Sequence, residues 1–197
     1  MEILMKYIMS VIVFIVMAIG LSGCGIQSIP RSLNTVEASQ AEIMNQYKRR
    51  ADLIPNLVKT VKAYASHEKD TLVGVVNARA KATSTKIDAG NMSSIKQFQA
   101  AQSGLSSALS RLMVVVEKYP DLKADRNFRE LQAQLEGTEN RITIARQRHI
   151  KNIKGFNDLV TVIPTSWANS LFFHHTKMPQ WTADNAEAIK KAPEVDF

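Results

Sequence analysis

Residues 93–120 read SSIKQFQAAQSGLSSALSRLMVVVEKYP. Within them Ile95, Phe98, Gln102, Leu105, Leu109, Leu112, Val116 and Tyr119 recur in alternating steps of three and four. That spacing puts all eight side chains on one stripe of an α-helix. The stripe is a heptad seam, and Gln102 is its one strongly polar member. Ser93 or Ser94 can cap the start, because a serine hydroxyl accepts from the unpaired N–H groups of a first turn. Pro120 ends the pattern.

The same rule extends in both directions. Downstream, Asp121–Asp125 form a connection, with Asp125 a good cap. Phe128, Leu131, Leu135, Thr138, Ile142, Ala145, His149, Asn152, Phe156, Leu159 and Ile163 then keep the alternation up to Pro164. A helix of that length spans on the order of 50 Å. Upstream, Thr83-Ser84-Thr85 and Asp88-Ala89-Gly90-Asn91 mark a loop. Before it a helical pattern starts near Leu33. Tyr47, Ala51, Ile54, Val58, Val61 and Ala65 form its stripe, continued by Leu72 and Val76. Pro55 lies inside and predicts a kink or a break near Arg50–Ile54. Amphipathic segments joined by short links bury their stripes against each other. The expected fold is therefore all-α: an antiparallel bundle of three to four long helices over residues 33–164. Residues 165–197 are expected to form a short helix and a C-terminal tail. Trp167, Leu171, Phe172 and Phe173 lie there, with Trp181 beyond. A cap over one bundle end is the expected use of these side chains. The alternative is an aromatic patch that touches a membrane or a partner.

The chain start has a different character. Lys6 is followed by Ile8–Ile19, hydrocarbon interrupted only by Ser10, and then by Leu21-Ser22-Gly23-Cys24. The apolar run is shorter than the roughly 20 residues of a membrane span. With small residues beside a cut site, it reads as an export signal. The last four residues resemble the lipobox of bacterial lipoproteins. Residues 1–23 are thus expected to be removed, and Cys24, the one cysteine of the chain, to carry the lipid. Residues 24–32 read as a tether, with Pro30 against regular structure. Two or three acyl chains hold a protein stably where one holds it only marginally. Gly25 stands where an inner-membrane lipoprotein often has aspartate, which points to the outer membrane, facing the periplasm.

Removal of residues 1–23 takes one basic residue, Lys6, and one acidic residue, Glu2. The net charge stays at +7, and 174 residues remain. That is enough for one domain with its own core. With no second cysteine, the fold depends on packing. For an exported protein the positive charge suits anionic lipid or an acidic envelope protein rather than nucleic acid.

A family resemblance runs through these segments. Asn45-Gln46-Tyr47-Lys48-Arg49-Arg50-Ala51-Asp52-Leu53-Ile54-Pro55-Asn56-Leu57-Val58 resembles the hallmark of the LemA family. So do Ala78-Arg79-Ala80-Lys81-Ala82, Tyr119-Pro120-Asp121-Leu122-Lys123-Ala124, Leu135-Glu136-Gly137-Thr138-Glu139-Asn140-Arg141-Ile142 and the ending Pro193-Glu194-Val195-Asp196-Phe197. The resemblance implies a bacterial, membrane-anchored, antiparallel helical bundle with no agreed biochemical activity. Relatives carry either an N-terminal transmembrane helix or a lipobox. Gln40 stands where relatives usually have tryptophan, and His149 where they usually have tyrosine.

Residue patterns for chemistry are sparse. His67-Glu68 begins like a zinc-peptidase helix, but Thr71 takes the place of the second histidine. His174 and His175 are adjacent and diverge by about 100° on a helix, which suits no shared metal. No phosphate loop and no nucleophile elbow is present. Glu136 and Glu139 share a helix face, a weak basis for a hydrolase. Gln102, Thr138, His149 and Asn152 are polar groups inside apolar stripes, and such groups often set register. Lys48, Arg49, Arg50 and Asp52, and a second set of Arg141, Arg146, Arg148, Lys151 and Lys154, read as solvated helix surface, the alternative being contact of the basic residues with an anionic surface or an acidic protein. The expectation is a non-enzymatic scaffold or interaction module without a cofactor, anchored to a membrane through Cys24 and meeting an envelope protein. The alternative is a carrier of lipid or another small ligand in a crevice between helices.

Overall fold

A computed structural model describes residues 5–13, 27–88 and 90–181. Among them there is no strand. The helices are α1 (Ser28–Tyr64), α2 (Lys69–Ser84), α3 (Met92–Val116), α4 (Pro120–Ala124), α5 (Arg126–Thr161) and α6 (Thr165–Ala168). A π-helical turn, Asn169–Phe173, follows α6. Residues 5–13 are also helical. No helix of the described residues is long and apolar enough to cross a membrane.

The tether expected over 24–32 is shorter than that, because α1 begins at Ser28 and Ile29 is already buried. Pro30 falls in the first turn, where a backbone N–H has no helical acceptor to lose. Gln27 lies in a turn before the helix, and residues 24–26, like the expected signal apart from residues 5–13, lie outside the described residues.

Pro55 does not break α1, which runs on to Tyr64. Proline cannot donate to the carbonyl four residues back, that of Ala51. Arg79 on α2 supplies the missing donor: its Nε–H bonds Ala51 O at 2.7 Å. The actual break is the turn Ala65–Glu68, closed by Glu68 N–H donating to Ala65 O at 3.1 Å. Beyond the turn Leu72 is buried as expected, but Val75 is buried in place of Val76, which is 47% exposed.

The seam of α3 holds. Ile95, Phe98, Gln102, Leu105, Leu112 and Val116 are buried, and Leu109 and Tyr119 are half-buried. Its cap is Asn91 rather than a serine: Asn91 Oδ1 accepts from Ser93 N–H at 2.9 Å and Ser94 N–H at 3.3 Å. Asp125 caps α5 through Phe128 N–H at 2.8 Å. That bond holds its carboxyl below the ordinary carboxylate range. Along α5 the buried positions follow the expected alternation to His149 and then fall at Ile153, Phe156 and Val160. A straight helix turns every 3.6 residues and drifts about 20° per heptad from a strict 3.5 repeat. Asn152 and Leu159 are accordingly only half-buried, while Ile163 is exposed in the turn beyond the end of α5.

The chain divides into two compact units, Met1–Gln40 with His149–Met178, and Ala41–Arg148 with Pro179–Phe197. In the second unit, contacts fix the helix directions. Arg79 meets Ala51, and Gln102 meets Ala82, so α2 runs against both α1 and α3. Arg50 meets Glu139 and Tyr64 meets Asp125, so α5 runs against α1. Tyr47 meets Phe98 and Glu68 meets Tyr119, so α3 runs with α1. The result is an up-down-up-down arrangement. Ile54, Leu57, Val61, Val75, Leu105, Leu112, Leu122 and Phe128 lie in its core. Trp181 is buried here too, edge-on to Phe98 at 6.2 Å.

In the first unit the start of α1 pairs antiparallel with the end of α5. Ser39 meets His149, and Thr35 O accepts from Asn152. Two asparagines then hold the chain beyond α6. Asn157 exchanges two bonds with the Met178 backbone, at 2.9 and 2.8 Å. Asn169 does the same with His175, at 2.9 and 3.0 Å. Of the side chains expected to cap the bundle, Phe173 is half-buried and Trp181 buried, but the other three are not covered. Trp167 is 66% exposed, Leu171 71% and Phe172 59%.

Candidate functional site

The polar centre of the second unit is Arg50. It lies on the inward face of α1 and is 2% exposed. Its Nη1 donates to Glu139 Oε2 at 2.6 Å and to Ser106 Oγ at 3.1 Å. Its Nη2 donates to Gln102 Oε1 at 2.6 Å and lies 3.4 Å from Gln102 O. Gln102 Nε2 passes the chain of bonds on to Ala82 O at 3.2 Å. The guanidinium also lies 5.2 Å from the Tyr47 ring centroid, within cation–π range. One planar cation thus binds α3 and α5 directly and reaches the end of α2 through Gln102. Arginine suits this role because its fork of donors is fixed and always charged.

Sequence reading places Arg50 in a solvated basic cluster, and the structure overturns that. Arg50 follows Tyr47 by three and precedes Ile54 by four, so it satisfies the stripe spacing itself. Its neighbours do face solvent, and Lys48 pairs with Asp52 at 2.7 Å. In the second basic set, Arg148 forks onto Glu42 at 2.8 and 2.7 Å, and Lys154 pairs with Asp158 at 2.8 Å. Arg146 lies over the Trp181 ring at 6.0 Å. Much of the apparent surface charge is engaged within the molecule.

A solvent-open hollow of about 300 Å³ borders the network, lined in part by Arg50, Ser106, Glu136 and Glu139. The two glutamates have separate partners. Glu139 accepts from Arg50, and Glu136 accepts from Gln132 at 3.0 Å. Glu68 takes the Tyr119 hydroxyl at 3.1 Å, next to an exposed His67. His175 stacks on Phe173 at 6.1 Å, whereas His174 is exposed. Among the described residues, no three of His, Cys, Asp and Glu gather in a metal-binding group. Cys24, the expected lipid attachment point, lies outside the described residues.

Of the other polar seam residues, Thr138 bonds back to Gln134 O in its own helix at 2.7 Å. It therefore fixes nothing across the bundle. His149 does reach across, in the first unit. It is fully buried, with Nδ1 2.8 Å from Ser39 Oγ. Ser39 Oγ also lies 2.8 Å from Val36 O, which can only accept. The hydroxyl has one proton, so both bonds form when it donates to Val36 and accepts from Nδ1–H. An Nδ1–H is carried by the neutral imidazole and the imidazolium alike, and burial favours the neutral form. Burial pushes the His149 imidazole below its ordinary value, against a smaller opposing effect of the Val36 carbonyl.

A lowered folded-state value means that the unfolded chain takes up the proton first. This contribution to stability is complete above about pH 6.5 and is lost as pH falls through the folded value, by at most ~1.4 kcal/mol per pH unit. Thermal melts of wild type are expected to drop more steeply than those of His149→Tyr from neutral to mildly acidic pH. Parallel curves would remove the role assigned to His149.

No curated protein matches this sequence. The sequence model of the LemA family matches residues 39–197, most of the chain. The matched span contains Arg50, Arg79, Gln102, Glu139 and His149, the residues that bind helix to helix. The chain belongs to the LemA family.

Proposed function

We propose that this protein is an envelope lipoprotein, fixed to a membrane by acyl groups on Cys24, whose helical bundle serves as a non-enzymatic scaffold for a membrane-associated protein complex. The observation that carries the non-enzymatic part is the use made of the interior polar groups. Arg50, Gln102 and Glu139 bind one another across helices, and His149 binds Ser39, in the manner of groups that set register. The Ser106 hydroxyl and the Glu139 carboxylate beside the hollow are both held by the Arg50 guanidinium. The anchor is supported by the apolar run ahead of Leu21-Ser22-Gly23-Cys24.

The carrier reading has less support. Ligand pockets are concave and mostly apolar. The hollow of about 600 Å³ in the second unit lies open to solvent, bordered by Asn56, Lys59, Thr60 and Asp125 as well as Ala63 and Leu131. The apolar stripes are filled by their own neighbours instead.

Cys24→Ser tests the anchor. The variant is expected to stay unprocessed at the signal and to lack the acyl-dependent mobility shift expected of wild type on gels. Normal processing and unchanged acylation would overturn the lipoprotein reading. Crosslinking in intact cells tests the scaffold. Repeated capture of one envelope protein supports it, and turnover of a small substrate by the purified chain would displace it.

A further inference from the structure

The first unit exposes an apolar cluster that its own fold does not cover: Val162, Ile163, Trp167, Leu171 and Phe172, each more than half exposed. Single exposed hydrophobes are ordinary, but five of them within eleven residues form a patch of the kind that marks an interaction surface. The local fold fixes its position. Asn169 holds the turn beneath it through the His175 backbone, and Asn157 ties down Met178. The patch therefore stands on an ordered platform.

Its place relative to the start of α1 is also fixed. In this unit Ser39 contacts His149, and α1 and α5 run antiparallel. From Ser39 back to Ser28 is about 16 Å of helix, and from His149 on to Thr161 about 18 Å. The two helix ends are thus level, and the patch begins at residue 162. Cys24 is four residues before Ser28, at most about 14 Å of extended chain. Charge agrees with the geometry. Residues 24–36 and 159–181 contain no aspartate or glutamate, and they carry Arg31 and Lys177, both exposed. The carboxylates that border these spans in sequence are Glu37, which is exposed, and Asp158, which is paired with Lys154.

We infer that the cluster around Trp167 is a membrane-contact surface, seated in the headgroup region of the same bilayer that holds Cys24. The inference rests on the anchor reading proposed above and adds an orientation to it. Tryptophan favours that zone, because its ring is apolar and its indole N–H remains hydrated. Arg31 and Lys177 would meet anionic headgroups beside it.

The two tryptophans make the test direct, since Trp181 is buried against Phe98 and Trp167 is exposed. The full chain with its N-terminal anchor is reconstituted into vesicles of phosphatidylethanolamine and phosphatidylglycerol. The acyl chains carry bromine close to the headgroup. Vesicle flotation is scored first, then tryptophan emission. The expected result is loss of most of the Trp167 emission, with the Trp181 contribution retained. In Trp167→Phe, bromine should have no effect. Failure to float would overturn the anchor, and the orientation with it. Flotation with unquenched Trp167 would overturn the contact surface alone. A blue shift without quenching would do the same and assign the patch to protein contact.

Discussion

Glu139→Ala is expected to destabilise the protein by about 2–3 kcal/mol, more than Arg50→Met does, although Arg50 makes more of the bonds. The asymmetry comes from where each charge is left. Glu139 is 53% exposed, so without Arg50 its carboxylate turns to water at little cost. Arg50 is buried, so without Glu139 a full positive charge keeps only neutral acceptors, Gln102 and Ser106. Removing one partner of a buried pair typically costs about 3–5 kcal/mol, and solvent in the adjoining hollow reduces that here. Arg50→Met strands the buried Gln102 Oε1 but removes the desolvated charge, for a net loss of about 1 kcal/mol. The double variant Arg50→Met/Glu139→Ala should match Arg50→Met alone, and Glu139→Gln should fall between. Urea unfolding of the four variants decides. Equal losses for the two single variants would mean that the pair is screened like a surface bridge.

The second large effect concerns Arg79. Arg79→Met is expected to cost about 1–3 kcal/mol by leaving Ala51 O without a donor inside the bundle. The same substitution in a Pro55→Ala background should cost less by about 1 kcal/mol, because residue 55 then supplies its own N–H to that carbonyl. A denaturant-based double-mutant cycle measures this coupling. Additive effects would show that Arg79 acts through packing rather than through the proline's missing bond.

These two arginines also mark the boundary of what the chain reveals unaided. Repeating apolar residues were legible wherever helices stayed regular, as from Ile95 to Val116 in α3 and from Phe128 to His149 in α5. Pro55 was legible as a disturbance, but its outcome was not. The donor that rescues Ala51 comes from a residue 28 positions away, and no local pattern announces it. Arg50 was misplaced because a charged residue beside Lys48 and Arg49 suggests solvent, while its own spacing placed it on the stripe. Trp181 and the asparagines at 157 and 169 gave no periodic signal at all. They act on irregular backbone, whose partners are set only once the chain has folded.

The guanidinium of Arg50 has one more consequence. A segment of an ordinary bundle can fray by itself, losing only its own apolar contacts. Here α1, α3 and α5 touch one cation, and α2 is tied to it through Gln102. Any of these helices that pulled away would leave part of that cation's coordination empty. The four are thereby coupled into one cooperative element, and opening in one is felt by the rest.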